Sequence, residues 1–180
     1  MGSVIEAARI LVLSGLPGAG KTTYAQFLER QGWLRLAMDK QGEASPGLAA
    51  AWLAAIQGDD GPIVELARRN PAGLVIEWGF HPADLPTVAT LVERGYNWWY
   101  FECDRDNALD GWTRAWPGAP DRVWQDQVAR LDQAWAQIER LFSPKILRTG
   151  SPGTGRMSLD DIHGRIAGSL PPLGRENLEP

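Results

Sequence analysis

The 180-residue sequence has a single cysteine, two histidines and no excess of positive charge. With Cys103 alone no internal disulfide bond can form, which suits a reducing compartment. One cysteine and two histidines are also too few to form a Cys/His cluster around a structural zinc ion. The net charge of −4 gives no general basic surface for nucleic-acid polymers. No signal-like segment and no apolar run of roughly 18 residues is present, so we expect a soluble cytoplasmic protein.

The length and composition are those of one globular domain with a proper core. Hydrophobic residues make up 44% of the chain, and nine of its residues are tryptophans. We expect the domain to span residues 1–170. The last ten residues, 171–180, are rich in proline and glycine, and we expect them to form a flexible tail. No feature of the sequence indicates an oligomeric state.

One glycine-rich stretch, Gly15-Leu16-Pro17-Gly18-Ala19-Gly20-Lys21-Thr22, fits the pattern G-x-x-x-x-G-K-[ST]. An apolar run of strand length precedes it and an amphipathic helix pattern follows it, which is the context that this motif requires. Glycines allow backbone N–H groups to surround phosphate oxygens, and a helix N-terminus favours negative charge. The stretch therefore predicts a nucleoside triphosphate site made of Gly15, Pro17, Gly18, Ala19, Gly20, Lys21, Thr22 and Thr23. In that site Lys21 contacts the β/γ-phosphates and Thr22 binds Mg²⁺.

Apolar strand patterns alternate with helix patterns along the rest of the chain. The predicted strands are 9–14, 33–38, 74–78, 96–103 and 145–149. Such alternation predicts an α/β fold, with a five-stranded parallel sheet and helices on both faces. The longest predicted helix, 121–142, carries an apolar stripe with spacings of four and three, as expected of a helix packed on the domain. Residues 151–155 are predicted to form a loop.

In parallel sheets, ligands bind beyond the carboxyl ends of the strands. In this sequence, acidic residues occur at the ends of several predicted strands. Asp39 follows the second strand and could accept a proton from a substrate hydroxyl, or it could be a turn or helix-cap residue. Glu77 interrupts an apolar strand, so its carboxylate needs a partner. A Mg²⁺-bound water, an arginine or a substrate donor would serve, and a purely structural hydrogen bond is the alternative. His81 and the pair Cys103-Asp104 also follow strands; His81 could line the cleft, whereas Cys103 is predicted to be a buried apolar residue.

Three arginines, Arg105, Arg114 and Arg122, flank the segment between the fourth strand and the long helix. Arginines on a closing segment can neutralise charge during phosphoryl transfer, although each could equally be a solvated surface residue. Arg114 is the best placed, next to the break at Pro117. The tryptophans Trp78, Trp112 and Trp116 could line a substrate cleft, but core packing is the favoured interpretation.

Together these residues resemble the small P-loop kinases that include zeta-toxin-like, chloramphenicol-phosphotransferase-like and polynucleotide-kinase-like proteins. The resemblance covers most of the chain and implies the three-layer P-loop NTPase fold. It also implies ATP and Mg²⁺ as cofactors, Asp39 as catalytic base beside Lys21, and Arg114 as the arginine of a lid within 104–122. Glu77 could bind Mg²⁺ through water. Many relatives carry an arginine shortly after the aspartate, whereas this sequence has Lys40-Gln41-Gly42-Glu43.

The predicted activity is ATP-dependent phosphoryl transfer to the hydroxyl of a small molecule. An acidic chain disfavours a polynucleotide acceptor, although a 5′-hydroxyl kinase stays open. A nucleotide-dependent switch is a second alternative, because residues 39–42 spell D-x-x-G. No asparagine is followed by lysine, however, so the N-K-x-D guanine motif of such switches is missing. A P-loop ATPase that acts as an assembly module is the third alternative.

Overall fold

The computed structural model describes residues 8–38, 47–153 and 155–171. Five strands in these ranges form one parallel sheet in the order β2-β3-β1-β4-β5. Their bounds are β1 Ile10–Gly15, β2 Leu34–Ala37, β3 Leu74–Glu77, β4 Asn97–Glu102 and β5 Ile146–Arg148. β1, the strand that leads into the glycine-rich stretch, therefore lies at the centre of the sheet.

Helices connect the strands and cover both faces of the sheet. They are α1 Lys21–Glu29, α2 Leu48–Ile56, α3 Gly61–Arg69, α4 Leu85–Glu93, α5 Arg105–Ala115, α6 Asp121–Gln133, α7 Trp135–Phe142 and α8 Leu159–Ala167, with a short 3₁₀ helix at Pro82–Asp84. None of the helices within the described ranges is both long and apolar enough to cross a membrane.

The alternation of side chains along β4 shows which helices cover which face. Phe101 contacts the ring of Tyr24 on α1, and Tyr24 in turn contacts His163 on α8. Trp98 points to the opposite face, where its ring meets Trp52 of α2 and Phe142 of α7. Both faces are thus closed by aromatic packing, and β1 is buried along its whole length.

Two local predictions were wrong. The stretch 121–142 is two helices rather than one, because Ala134 has φ −91° and ψ 2° and the backbone tightens there into a single 3₁₀-type turn. The apolar stripe nevertheless continues across the break, with Trp124, Val128 and Ile138 all buried. The predicted loop at 151–155 contains a short antiparallel hairpin, β6 Gly150–Ser151 paired with β7 Gly155–Arg156.

Candidate nucleotide-binding site

The glycine-rich stretch forms the turn between β1 and α1, at the carboxyl edge of the sheet. Gly18 and Gly20 have φ angles of 84° and 98°, a region that side chains with a β-carbon rarely adopt. The loop can follow this path because these two positions are glycine. It ends at the first residue of α1, so the helix N-terminus faces the same space as the loop.

Four side chains hold the carbonyl groups of this loop. Lys21 donates from Nζ to Gly15 O and Leu16 O, both at 2.9 Å. The three following carbonyls each accept one bond: Pro17 O from Trp124 Nε1 at 3.2 Å, Gly18 O from Arg156 Nη2 at 2.8 Å, and Ala19 O from Thr149 Oγ1 at 2.8 Å. Five consecutive carbonyls are therefore turned toward the surrounding protein.

The amide groups on the other side of the loop are left for a ligand. Within the described ranges, the N–H groups of Gly18, Gly20, Thr22 and Thr23 have no acceptor. Four such donors beside a lysine and a helix N-terminus fit the oxygen atoms of a di- or triphosphate. The residues present thus fit the phosphate chain of a nucleotide.

Thr22, half-buried in the first turn of α1, provides a hydroxyl that could hold a Mg²⁺ ion at this loop. The described ranges contain no group of three His, Cys, Asp or Glu residues that could hold a metal ion. Mg²⁺ in such sites keeps several waters and binds substrate phosphates with one or two protein oxygens. The loop is compatible with that kind of site.

Glu77 ends β3 at the carboxyl edge and is buried, with 4% of its surface exposed. Its Oε1 accepts a bond of 2.6 Å from Nε of Arg35, which is also buried, on the neighbouring strand β2. The sequence predicted that Glu77 pairs with a Mg²⁺-bound water, an arginine or a substrate donor, and in the structure its partner is an arginine. Among the described residues its other oxygen, Oε2, has no partner.

Asp39, the predicted base, lies outside the described residues. The strand before it, β2, ends at Ala37 beside Glu77, at the same edge of the sheet as the loop. His81 is exposed, and its Nδ1 accepts a bond from Ala83 N at the start of the 3₁₀ helix. It therefore serves as a helix cap.

The segment 104–122 packs directly against the glycine-rich loop. Asp104 caps α5, since its Oδ1 accepts a bond from Asn107 N, and bonds from Asn107 hold the pKa of this carboxyl below its usual range. A β-carbon added at Gly18 would lie 1.9 Å from Ala108 O of α5. The backbone of the loop and that of the helix are thus in contact.

The arginines of this segment differ in their environment. Arg105 bonds to Glu102 and Asp132, which ties α5 to β4 and α6. Burial raises the pKa of Glu102, and Arg105 opposes that shift. Arg114 lies exposed in the last turn of α5 and makes no ion pair within the described ranges. Arg122 is exposed at the start of α6.

The remaining candidate residues lie at the edges of the site. Cys103 is buried, and burial raises the pKa of its thiol, as expected of a packing residue. Trp78 is half-buried among Trp52, Phe80 and Trp98. Trp112 and Trp116 contact each other, and Trp116 is 41% exposed.

Sequence reasoning missed three of the side chains that hold the loop: Trp124, Thr149 and Arg156. Thr149 follows β5, and its position at the carboxyl edge was a usable signal because ligand sites gather there. Trp124 was predicted only as part of an apolar stripe. Arg156 directly follows the predicted loop at 151–155, and no local pattern marks it.

No protein-family model and no curated protein matches this chain. Among solved structures, TT1252 from Thermus thermophilus is similar, with a TM-score of 0.51 and 16% identity over 91% of this chain and 98% of that one. A gluconokinase from Sinorhizobium meliloti has a TM-score of 0.51 and 13% identity over 91% and 92%. A shikimate kinase from Acinetobacter baumannii, solved with shikimate, reaches a TM-score of 0.49 and 18% identity over 91% and 93%.

At these identities the similarity establishes the fold. The protein has the three-layer α/β fold of small P-loop kinases, with a five-stranded parallel sheet between two layers of helices. The narrower resemblance to zeta-toxin-like, chloramphenicol-phosphotransferase-like and polynucleotide-kinase-like proteins stays a prediction.

Proposed function

We propose that the protein is an ATP-dependent kinase that transfers the γ-phosphoryl group to a hydroxyl of a small molecule. The observation that carries this proposal is the set of four open amide groups, beside Lys21, at the carboxyl edge of the sheet. The similarity of the fold to a gluconokinase is consistent with it.

In the proposed site, the loop amides hold the phosphates, and Lys21 exchanges its bonds with Gly15 O and Leu16 O for bonds to β- and γ-phosphate oxygens. Mg²⁺, when bound by Thr22 and the phosphates, supplies charge neutralisation and fixes the nucleotide geometry. Glu77 is proposed to orient a metal-bound water through Oε2 while Arg35 holds Oε1.

Asp39 is proposed to accept the proton of the attacking hydroxyl, which makes the oxygen a better nucleophile. In support of this role, β2 ends two residues before Asp39 in the sequence, and its carboxyl end lies at the same edge of the sheet as the loop. Arg114 is proposed to neutralise charge on the transferred group once an acceptor is bound. A small acceptor is favoured over a polynucleotide because the net charge of −4 would repel a phosphate polymer.

The experiment is ATP consumption by the purified protein against a panel of sugars, nucleosides, hydroxylated antibiotics and 5′-hydroxyl oligonucleotides. We expect ADP release to depend on one class of small alcohol. Lys21→Ala should abolish turnover, and Asp39→Asn should retain ATP binding while lowering transfer at least about 100-fold, as expected for loss of a general base.

The matched control for Asp39→Asn is Asp59→Asn, which makes the same chemical change at an exposed turn between α2 and α3. The control should transfer phosphate at the normal rate. Normal transfer by Asp39→Asn would remove the base assignment. Tight ATP binding with slow hydrolysis that no acceptor stimulates would replace the kinase by a switch or assembly ATPase.

A further inference from the structure

The guanidinium group of Arg156 lies between the phosphate-binding loop and α5. Arg156 belongs to β7, in the hairpin that follows β5. Its Nη2 donates to Gly18 O of the loop at 2.8 Å and also to Asn107 O of α5. A long exposed side chain from the hairpin is thereby fixed in one place at the site.

A glycine on α5 provides the space for this guanidinium. A β-carbon at Gly111 would lie 2.2 Å from Arg156 Nη2 and 2.5 Å from Gly18 O. Any larger residue at position 111 would displace Arg156 from its present position or separate the helix from the loop. The sequence of α5 therefore leaves room for an arginine that a different element supplies.

The charge of Arg156 is not neutralised where it is held. Both of its acceptors are backbone carbonyls, and within the described ranges no carboxylate forms an ion pair with it. Only Nη2 is used: Nη1 and Nε have no acceptor among the described residues. Nη1 lies 3.9 Å from the position that a β-carbon of Gly20 would occupy. Gly20 is also one of the four residues whose N–H groups are open.

We propose that Arg156 is a nucleotide-binding residue, whose guanidinium holds α5 to the loop through Nη2 and binds phosphate oxygens through its remaining donors. This inference rests on the proposed nucleotide site and adds to it a cation that comes from the hairpin after β5. A full positive charge with unused donors, held against a loop that carries open amides, complements a polyphosphate and not an uncharged base or sugar.

The test is isothermal titration of wild type, Arg156→Met and Arg156→Lys with three probes: ATP·Mg²⁺, tripolyphosphate and adenosine. We expect Arg156→Met to weaken the binding of ATP and of tripolyphosphate roughly tenfold, the effect of losing one charge-assisted hydrogen bond. Its affinity for adenosine should be unchanged. Arg156→Lys keeps the charge but lacks the planar fork, so its loss should be smaller than that of Arg156→Met.

The matched control is Arg140→Met, which removes the same charge from an exposed position on α7, away from the loop. It should bind all three probes like wild type. Thermal melting of each variant confirms that it is folded before titration.

Wild-type affinity of Arg156→Met for ATP would overturn the inference, as would an equal loss for adenosine and ATP. If the wild-type protein binds ATP but no acceptor stimulates ADP release, the kinase proposal fails while the role of Arg156 in nucleotide binding stands. Absence of ATP binding by wild type would overturn both.

Discussion

At the scale of single residues, the buried ion pair of Arg35 and Glu77 is the charge pair on which we expect the stability of the fold to depend. Both side chains are almost fully buried, and their bond of 2.6 Å joins β2 to β3. Arg35 also lies 3.6 Å from Glu29, which is half exposed at the end of α1. Charges removed from water are tolerated only when they are paired, so each depends on the other.

We expect Arg35→Met to lower the free energy of unfolding by about 3–5 kcal/mol, because Glu77 is left as a buried charge without its arginine. The double variant Arg35→Met/Glu77→Met should recover most of that loss, since two apolar side chains replace two buried charges. Urea unfolding of the three proteins measures the difference.

The control for the buried pair is Arg69→Met, which breaks an exposed ion pair with Glu65 on α3. It should change the free energy of unfolding by less than about 1 kcal/mol. Equal effects of Arg35→Met and Arg69→Met would show that Glu77 is not buried as a charge.

The sequence predicted that Glu77 needs a partner, and it named an arginine as one possibility. It could not choose Arg35, because which strands are neighbours depends on the pairing of the whole sheet. His81 illustrates the same limit: its place after β3 suggested the cleft, but the local 3₁₀ turn uses its ring as a cap. Position in a pattern places a residue at an edge of the sheet and does not fix what its side chain contacts.

At the scale of elements, the site has a close contact between the backbone of α5 and that of the glycine-rich loop. The contact depends on glycine on both sides, at Gly18 in the loop and at Gly111 in the helix. A glycine inside a helix ordinarily costs about 1 kcal/mol relative to alanine. At position 111 that cost is offset, because the absence of a β-carbon lets the backbone of α5 contact the backbone of the loop.

Gly111→Ala should therefore destabilise the protein by about 1 kcal/mol, since overpacking at the loop costs more than the helix propensity gains. Gly164→Ala is the matched control, because Gly164 lies in α8 with no atom within 4 Å of its added β-carbon. That substitution should stabilise the protein by about 0.5–1 kcal/mol. Thermal or urea unfolding of both variants measures whether each substitution raises or lowers the stability. Stabilisation by Gly111→Ala would contradict the close contact between α5 and the loop.

The order of strands and helices was predictable because hydrophobic periodicity and glycine or proline breaks mark each element locally. The break at Ala134 was not, since alanine is a strong helix former and the break is a change of backbone angle in a continuous apolar stripe. The hairpin β6–β7 was missed because its strands have only two residues each. Short pairings of this kind carry no periodicity.

At the scale of the whole molecule, the glycine-rich loop connects parts that are distant in the sequence. Its carbonyls are held by Trp124, Thr149 and Arg156, all from the last third of the chain. A ligand that fills the loop is therefore expected to stabilise the entire domain and not only the first strand and helix.

With ATP·Mg²⁺ at about 100 times its dissociation constant, linkage predicts about 2.7 kcal/mol of added stability. For a chain of this size that corresponds to a rise in melting temperature of roughly 5–10 °C. Differential scanning calorimetry measures it. Lys21→Ala should abolish the rise and Arg140→Met should retain it; wild type without a rise would contradict nucleotide binding.

The strand order also determines when the molecule can begin to fold during synthesis. β1 leaves the ribosome before β3 and β4, yet it pairs with both of them, and β2 also pairs with β3. Until residue 74 has been made, the apolar strand Ile10–Gly15 has neither neighbour, and both of its edges are exposed. Its hydrogen-bonding groups are open to other chains during that interval, so the nascent protein passes through an aggregation-prone stage before its central strand is covered.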